Sequence, residues 1–512
     1  MTAAISARAE RTPDEPALVD DGGTLTWAEL ARDLERAAGA LLAAAPGPDQ
    51  RVSVLGENAI PTVVAHAAAL TVGVGTVATS RQLRPDELVD QYADAGVACV
   101  IAGASSIAVA QEAAGRTGAA PVVAHGAPPP AGAVSWEQFH AAAPPVPPDA
   151  GLRPPRPLLV YTSGTTGRAR GAEVRWTLEL PQTAADYVAA ITAESAFPPG
   201  PHLVVGPLQH NAPLTSLRHL LAGETVIVLG KFDAEAVLRR IAEHGVTSSV
   251  LVPTHMQRLL ALPQDVRDKY DLSSLELVSQ TGSACPADTK LAMIEWFGPV
   301  FVESYGGSET GTLCRITSPE WLEHRGSVGR PRPPYEVVVL DEEHRPLPPG
   351  SVGVLGFRAP DGRGPSYHGD PEKTAKAYLA PGVFTIGDVG YVDDDGFVYI
   401  TDRIADMVVS GGVNLYPAES EKVLITHPGV AQVAVIGVPH PDLGEALLAL
   451  VVPAAEPPSP AQLEQFAREK LAPYKVPRAY EFVDDLVYNA MGKPDKKAMR
   501  APYWHGERTI AG

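Results

Sequence analysis

Tyr161-Thr-Ser-Gly-Thr-Thr-Gly-Arg-Ala-Arg-Gly171, preceded by the apolar run Leu158-Leu-Val160, reads as a buried strand that ends in an open turn. The stretch holds three glycines and four Ser/Thr hydroxyls. Such a turn exposes backbone N–H groups and hydroxyl donors with little side-chain bulk, which suits the phosphates of a nucleotide. Arg168 and Arg170 add positive charge beside it. No GxxxxGK[ST] or strand-linked GxGxxG is present, which argues against a Walker-type ATPase and a Rossmann dehydrogenase. Taken alone, the stretch is also compatible with an ordinary Gly/Ser/Thr-rich surface loop.

The surrounding composition narrows the field. A chain of 512 residues is long enough for more than one domain, and 45% hydrophobic with 20% charged residues is ordinary for a globular protein. A net charge of −19 argues against nucleic-acid binding and against a polybasic membrane anchor. An anionic substrate must then be attracted locally, by backbone dipoles, a metal ion or a few placed cations. Cys99, Cys285 and Cys314 show no CxxC spacing, so no zinc or disulfide framework is expected. Residues 1–20 lack an apolar signal core, and Thr62–Thr79 reads as a buried helix and turn. The expectation is a cytoplasmic protein without membrane insertion.

Helical patterns such as Trp27–Leu42 alternate with apolar runs at Val52–Leu55 and Ala98–Ala102, which predicts α/β layers. Pro128–Pro130 and Pro144–Pro157 flank a patch around Trp136 that reads as a surface excursion. A second α/β run follows, with strands expected at Leu203–Val205, Thr225–Leu229, Ser249–Val252 and Leu275–Val278. Ser327–Ile400 changes to short strands and turns. The last hundred or so residues restart as an α+β unit with helices at Pro417–Ile425 and Ala461–Leu471 and strands at Val430–Val438, Ala446–Val452 and Ala479–Val483.

Four further motifs stand in order behind the loop. They are Tyr305-Gly-Gly-Ser-Glu309, Gly387-Asp-Val-Gly390, Asp402-Arg403 leading to Ser410-Gly-Gly-Val-Asn-Leu-Tyr-Pro-Ala-Glu419, and Gly492-Lys493. With the loop, this ordered set resembles the adenylate-forming superfamily of acyl-CoA synthetases, peptide-synthetase adenylation domains and luciferases. The connecting segments, among them Ile294-Glu-Trp-Phe-Gly-Pro299 and Asp370-Pro-Glu-Lys-Thr-Ala375, look most like bacterial fatty-acyl and aryl-CoA ligases. The resemblance implies a large N-terminal adenylation domain, 1–401, built of two α/β sheets and a small β-barrel-like subdomain. A hinge at 402–405 and a small mobile α+β domain, 406–512, follow.

It also implies roles, residue by residue. Thr162, Ser163, Gly164, Thr165, Thr166, Gly167 and Arg170 would hold the β- and γ-phosphates of ATP. Glu309 resembles the magnesium carboxylate, and Ser308 stands where the family usually has Thr. Gly282 and Tyr305 would line the adenine, and Ser283 and Gly306 beside them would also bind the nucleotide. Asp388 and Arg403 would take the ribose; by residue type alone Asp388 is a turn cap, and the match of its flanks favours the nucleotide. Gly411 and Gly412 would frame the tunnel for the pantetheine arm of coenzyme A, or form an ordinary turn. Lys493 would bridge carboxylate and α-phosphate; by residue type alone it is one lysine in a basic tail with Lys496, Lys497 and Arg500.

Three departures stand out. The loop closes as Ala169-Arg-Gly171 where the family has Pro-Lys-Gly, and Ala405 occupies a hinge position that is usually charged. In the expected acyl pocket, His210 resembles the gate residue, with Gln209, Asn211, His255, Gln280, Thr281 and Gly307 around it. If these polar groups face the pocket, burying an alkyl chain there leaves them unpaired, at about 1–3 kcal/mol each. A short or aromatic acid with polar substituents fits better. The expected function is therefore ATP- and Mg²⁺-dependent activation of such an acid, followed by transfer to coenzyme A. The alternative is a non-CoA acceptor or unusual anion: amide synthesis, carrier-protein loading, or nitrite-dependent diazotisation of an aryl amine. The expected partner is a small carboxylic acid or aryl compound, and a homodimer is admitted.

Overall fold

The computed structural model describes residues 2–504 apart from 46, 163–169, 178, 194–196, 342, 360–363, 368–369, 411–412, 455 and 489–493, with backbone only at 162, 170, 404 and 414. Its contacts divide the chain into two compact units, 1–323 with 363–375 and 324–362 with 376–512.

The first unit holds two doubly wound sheets. One runs Val134–Ser135, Val122–His125, Val97–Gly103, Arg51–Leu55, Gly75–Ala78, Leu158–Thr162, Arg170–Val174, all parallel until the last strand turns back antiparallel. The other includes Gly311–Thr317, Phe301–Gly307, Leu277–Gln280, Ser248–Leu251, His202–Val204, Val226–Val228, Pro16–Val19 and Thr24–Thr26 in spatial order. Its inner strands are parallel, and Gly311–Thr317 again folds back antiparallel on the strand before it. Parallel strands need both faces covered, which is why these segments are mostly apolar and largely buried. Arg51–Leu55 and Gly75–Ala78 are buried at every position.

The covering helices carry legible signals. Trp27–Ala44 begins with a capping box: the Thr26 side chain accepts from Glu29 N–H, and Glu29 Oε2 accepts from Thr26 N–H. Its Trp27, Leu30, Leu34 and Leu41 recur at helical spacing and are buried, each contributing roughly 1.5–3 kcal/mol. The region around Trp136 differs from the expected surface excursion. Val134–Ser135 adds an edge strand, and Ser135 caps a helix Trp136–Ala141 through a second box with Gln138. Trp136 itself is buried in the core, because an indole this large gains more from burial than its Pro-rich flanks lose.

The second unit contains two more sheets. An antiparallel sheet runs Tyr378–Ala380, Val383–Phe384, Gly353–Arg358, Asp388–Val392, Val398–Arg403, with Glu336–Leu340 paired to Gly353–Arg358. The expected β-rich stretch thus forms, and by its contacts it belongs with the C-terminal residues. The remaining sheet runs Val413–Leu415, Val408–Ser410, Gly444–Pro453, Val430–His440, with Ala479–Phe482 parallel to Gly444–Pro453. Helices Pro417–Leu424 and Pro460–Arg468 pack there, close to the expected positions, and bury Leu424, Leu463 and Ala467.

Candidate active site

The strand Leu158–Thr162 leads into the expected phosphate loop, and Arg170–Val174 leaves it as an antiparallel partner with Tyr161 opposite Gly171 and Thr162 opposite Arg170. The loop residues Ser163, Gly164, Thr165, Thr166 and Gly167 lie outside the described residues, as do Gly411, Gly412 and Lys493. The base of the hairpin is firmly seated. A side chain at Gly171 would meet Leu159 at 3.0 Å, and the Tyr161 hydroxyl donates to Asp94 Oδ2 at 2.6 Å.

The second hairpin presents Tyr305–Glu309. Phe301–Gly307 and Gly311–Thr317 pair so that Gly307 opposes Gly311, with a register shift between Tyr305 and Gly306. The turn is tight. A Cβ at Gly306 would lie 1.9 Å from the Gly311 carbonyl oxygen, and Gly311 has φ +69°. Gly307 N–H donates to Thr310 Oγ1 at 3.0 Å. Glu309 folds back over Gly307, where a Cβ would come within 2.8 Å of its Oε2. Its Oε1 accepts from the Tyr367 hydroxyl at 3.1 Å. Among the described residues no group of three or more His, Cys, Asp or Glu converges as a metal cage. One carboxylate in a glycine turn instead fits Mg²⁺, which takes one or two carboxylates and completes its shell with phosphate oxygens and water.

Beside this hairpin, Leu277–Gln280 ends at Thr281, whose hydroxyl donates to the Ser304 carbonyl at 2.9 Å. Gly282, at φ +95°, and the exposed Ser283 continue the turn. Gln280 does not line an open cavity: its side chain is fully buried and hydrogen-bonds with Glu303 on the neighbouring strand. The strand alternation sends it towards helix Ala287–Phe297, where Lys290 Nζ meets Glu303 Oε2 at 2.5 Å. Burial pushes the Glu303 carboxyl up, against the opposing pull of Lys290. Cys285 adjoins this pair, half-buried, its thiol pushed up to about 12 by burial and then by Glu303. A thiol held protonated in this way is no nucleophile, in keeping with a packing role.

The remaining acyl-pocket candidates fall on two nearby segments. His210 precedes the short helix Asn211–Leu214, and its Nε2 lies 3.5 Å from Gln209 Nε2. Asn211 Oδ1 accepts from Trp176 Nε1 at 3.0 Å. His255, on helix Pro253–Leu260, stacks on Phe232 with ring centroids 4.7 Å apart. Burial, then Arg258, lowers its pKa to about 4, so it is a neutral hydrogen-bonding ring at pH 7.

In the second unit, Asp388 and Arg403 stand opposite each other on paired strands, with Arg403 Nε 3.2 Å from Asp388 Oδ1. Asp388 is buried, while the Arg403 side chain is 63% exposed. Next to them the buried Asp402 accepts from the Ala418 N–H at 2.9 Å, at the start of helix Pro417–Leu424. Burial raises its pKa to about 6, and the Lys496 charge opposes the rise. Ala405 sits in a short 3-10 turn, Ile404–Asp406, whose Asp406 pairs with Arg500 at 3.0 Å. Sequence reading passed over Tyr367, Glu303 and Lys290. The signal for Glu303 was the one charge in an otherwise uncharged strand, whereas Lys290 shares its helix with Asp288 and Glu295 and is marked by nothing local.

Two doubly wound sheets, each closed by a Gly- and hydroxyl-rich hairpin, define the architecture of an adenylate-forming enzyme. A family model described as AMP-binding enzyme matches residues 5–366, and one described as AMP-binding enzyme C-terminal domain matches 419–493. The chain belongs to this family and is an AMP-forming ligase by type. It is similar to a feruloyl-CoA synthase of an Amycolatopsis species, 36% identical over 96% of this chain and 97% of the relative. It is also similar to the fatty acid–acyl-carrier-protein ligase ScoC of Streptomyces coeruleorubidus, 32% identical over 98% and 95%. Among solved structures, the amide bond synthetase McbA from Marinactinospora thermotolerans matches with a TM-score of 0.82 at 28% identity, covering 98% of this chain and 100% of that one.

Proposed function

We propose that this cytoplasmic enzyme activates a short or aromatic, polar-substituted carboxylic acid with ATP and passes the acyl group to coenzyme A. The supporting observation is Glu309, a carboxylate held over a glycine turn at the end of a parallel strand, within a chain of this family. In the first half-reaction the carboxylate oxygen bonds to the α-phosphorus of ATP, and the bond to the β-phosphate breaks to release pyrophosphate. Joining two anions makes positioning and charge neutralisation the main task. Glu309 would hold Mg²⁺, whose charge offsets that of the leaving phosphates. Residues 162–167 with Arg170 would cradle those phosphates, and Lys493 would reach both carboxylate and α-phosphate. Arg403 is largely exposed, so it can turn from Asp388 to a ribose at little packing loss. In the second half-reaction the thiol attacks the acyl carbon and AMP leaves.

The substrate reading rests on the polar and aromatic side chains of Gln209, His210, Asn211 and His255, with Trp176 and Phe232 behind the last two. Thr281 is already hydrogen-bonded within the protein and Gln280 is fully buried, so they add less to it. A second reading keeps the adenylate and changes the acceptor, to an amine or a carrier protein. It is favoured by the named activities of McbA and ScoC and by the loop ending Ala169-Arg-Gly171.

The test is AMP release across a panel of acids, with and without coenzyme A, amines and nitrite, in the wild type and in Lys493→Ala. The variant is expected to lose adenylation by roughly 10²–10³-fold while keeping thioester formation from supplied acyl-adenylate. Equal loss of both half-reactions in a folded variant would remove Lys493 from the assigned role. AMP release that does not depend on coenzyme A, but does on an amine, would favour the second reading.

A further inference from the structure

Tyr367 is held at four points. Its N–H donates to Thr374 Oγ1 at 3.0 Å, and its backbone forms an antiparallel bridge with Ala172. Its ring lies 3.8 Å beneath the Lys373 ammonium, and its hydroxyl donates to Glu309 Oε1 at 3.1 Å. Ala172 belongs to the strand that leaves the expected phosphate loop. One residue therefore ties that strand, through its backbone, to the carboxylate over Gly307, through its side chain.

We propose that Tyr367 is a positioning residue that sets the orientation of Glu309 for a divalent cation and couples that carboxylate to the phosphate-loop hairpin. The proposal rests on the reading of Glu309 as the magnesium carboxylate. The choice of a phenol is chemically apt. A phenol is a neutral donor, so it fixes one carboxylate oxygen while leaving the negative charge available to a cation; a lysine or arginine there would cancel it. Oε1 is taken by the hydroxyl and Oε2 lies over a glycine. The carboxylate is thus fixed at one oxygen, with the other over a residue that has no side chain. Loss of a partner of this kind, hydrogen-bonded to a metal ligand, typically costs about 10–100-fold in metal affinity.

The test is calorimetric titration of the full chain with α,β-methylene-ATP, in Mg²⁺ and in EDTA. The ratio of the two affinities reads the metal-dependent part of nucleotide binding. Tyr367→Phe should lower that ratio roughly tenfold, with the affinity in EDTA changed by less than about twofold. The Mg²⁺ concentration for half-maximal AMP release should rise by a similar factor. Equal weakening in Mg²⁺ and EDTA would make Tyr367 a prop for the loop and overturn the proposal. An unchanged ratio in Tyr367→Phe, beside a lowered ratio in Glu309→Gln, would overturn it too while leaving Glu309 as the metal ligand. An unchanged ratio in Glu309→Gln would overturn the metal reading itself.

Discussion

Lys290→Met isolates a buried charge behind the Tyr305–Glu309 strand. In the wild type Lys290 Nζ lies 2.5 Å from Glu303 Oε2 and 4.7 Å from the Trp321 ring centre, and the two charged side chains are 1% and 10% exposed. Removing one partner of such a pair costs about 3–5 kcal/mol, because the other charge stays desolvated. Glu303 can escape part of this by taking up a proton, at about 1.4 kcal/mol for each pH unit above its folded pKa. Burial already holds that pKa above the usual 4.5, and loss of Lys290 removes the larger influence opposing the rise, leaving the Gln280 hydrogen bond. A raised carboxyl pKa contributes stability that is full below the unfolded value and lost as pH rises through the folded one. The deficit of Lys290→Met should therefore be small near pH 5 and reach several kcal/mol by pH 8. Urea unfolding followed by tryptophan fluorescence at both pH values measures it. Lys290→Met/Glu303→Leu should recover most of the loss, since an apolar pair of similar size is often neutral. A deficit below about 1 kcal/mol at pH 8, or an equal one at both pH values, would refute the reasoning.

Two further outcomes are expected. Gly306→Ala places a methyl 1.9 Å from the Gly311 carbonyl and 3.1 Å from Leu313 N, both backbone, so the hairpin must shift. It should lose about 1–3 kcal/mol in urea unfolding together with AMP release, and an unaltered midpoint would contradict the tight turn. Asp402, with its pKa raised to about 6, contributes stability below pH 3.8 that is lost as pH rises through about 6. That change amounts to about 3 kcal/mol, so Asp402→Asn should gain on the wild type as pH rises from 4 to 7. A stability difference that stays constant over that range would show that Asp402 does not titrate there.

Much of the fold was legible because parallel strands are apolar on both faces. Val52–Leu55 and Ser249–Val252 could be placed from the chain alone. The Trp136 region was misjudged because prolines masked a stronger local signal, the Ser135-x-x-Gln138 box. In the candidate site, residue types were legible and their partners were not. Tyr367 lies 58 positions from Glu309, and nothing in local spacing encodes a hydrogen bond closed by the fold. The resemblance places Gln280 in the expected acyl pocket, whereas period-two alternation puts it on the buried face with Val278. That alternation was available in the sequence, but a four-residue strand gives it little weight.

The two hairpins that close the parallel sheets have an evolutionary consequence. In each, the turn is placed by a ladder of backbone bonds, Leu158–Thr162 against Arg170–Val174 and Phe301–Gly307 against Gly311–Thr317. Backbone ladders are indifferent to most side chains, so residues beyond the ladders can change while the flanking strands stay paired. A lineage built this way can vary residues elsewhere in the site by point substitution, without refolding its scaffold. Relatives named for coenzyme A, carrier-protein and amide chemistry, spread across one architecture, are the diversity that such a separation of placement from identity permits.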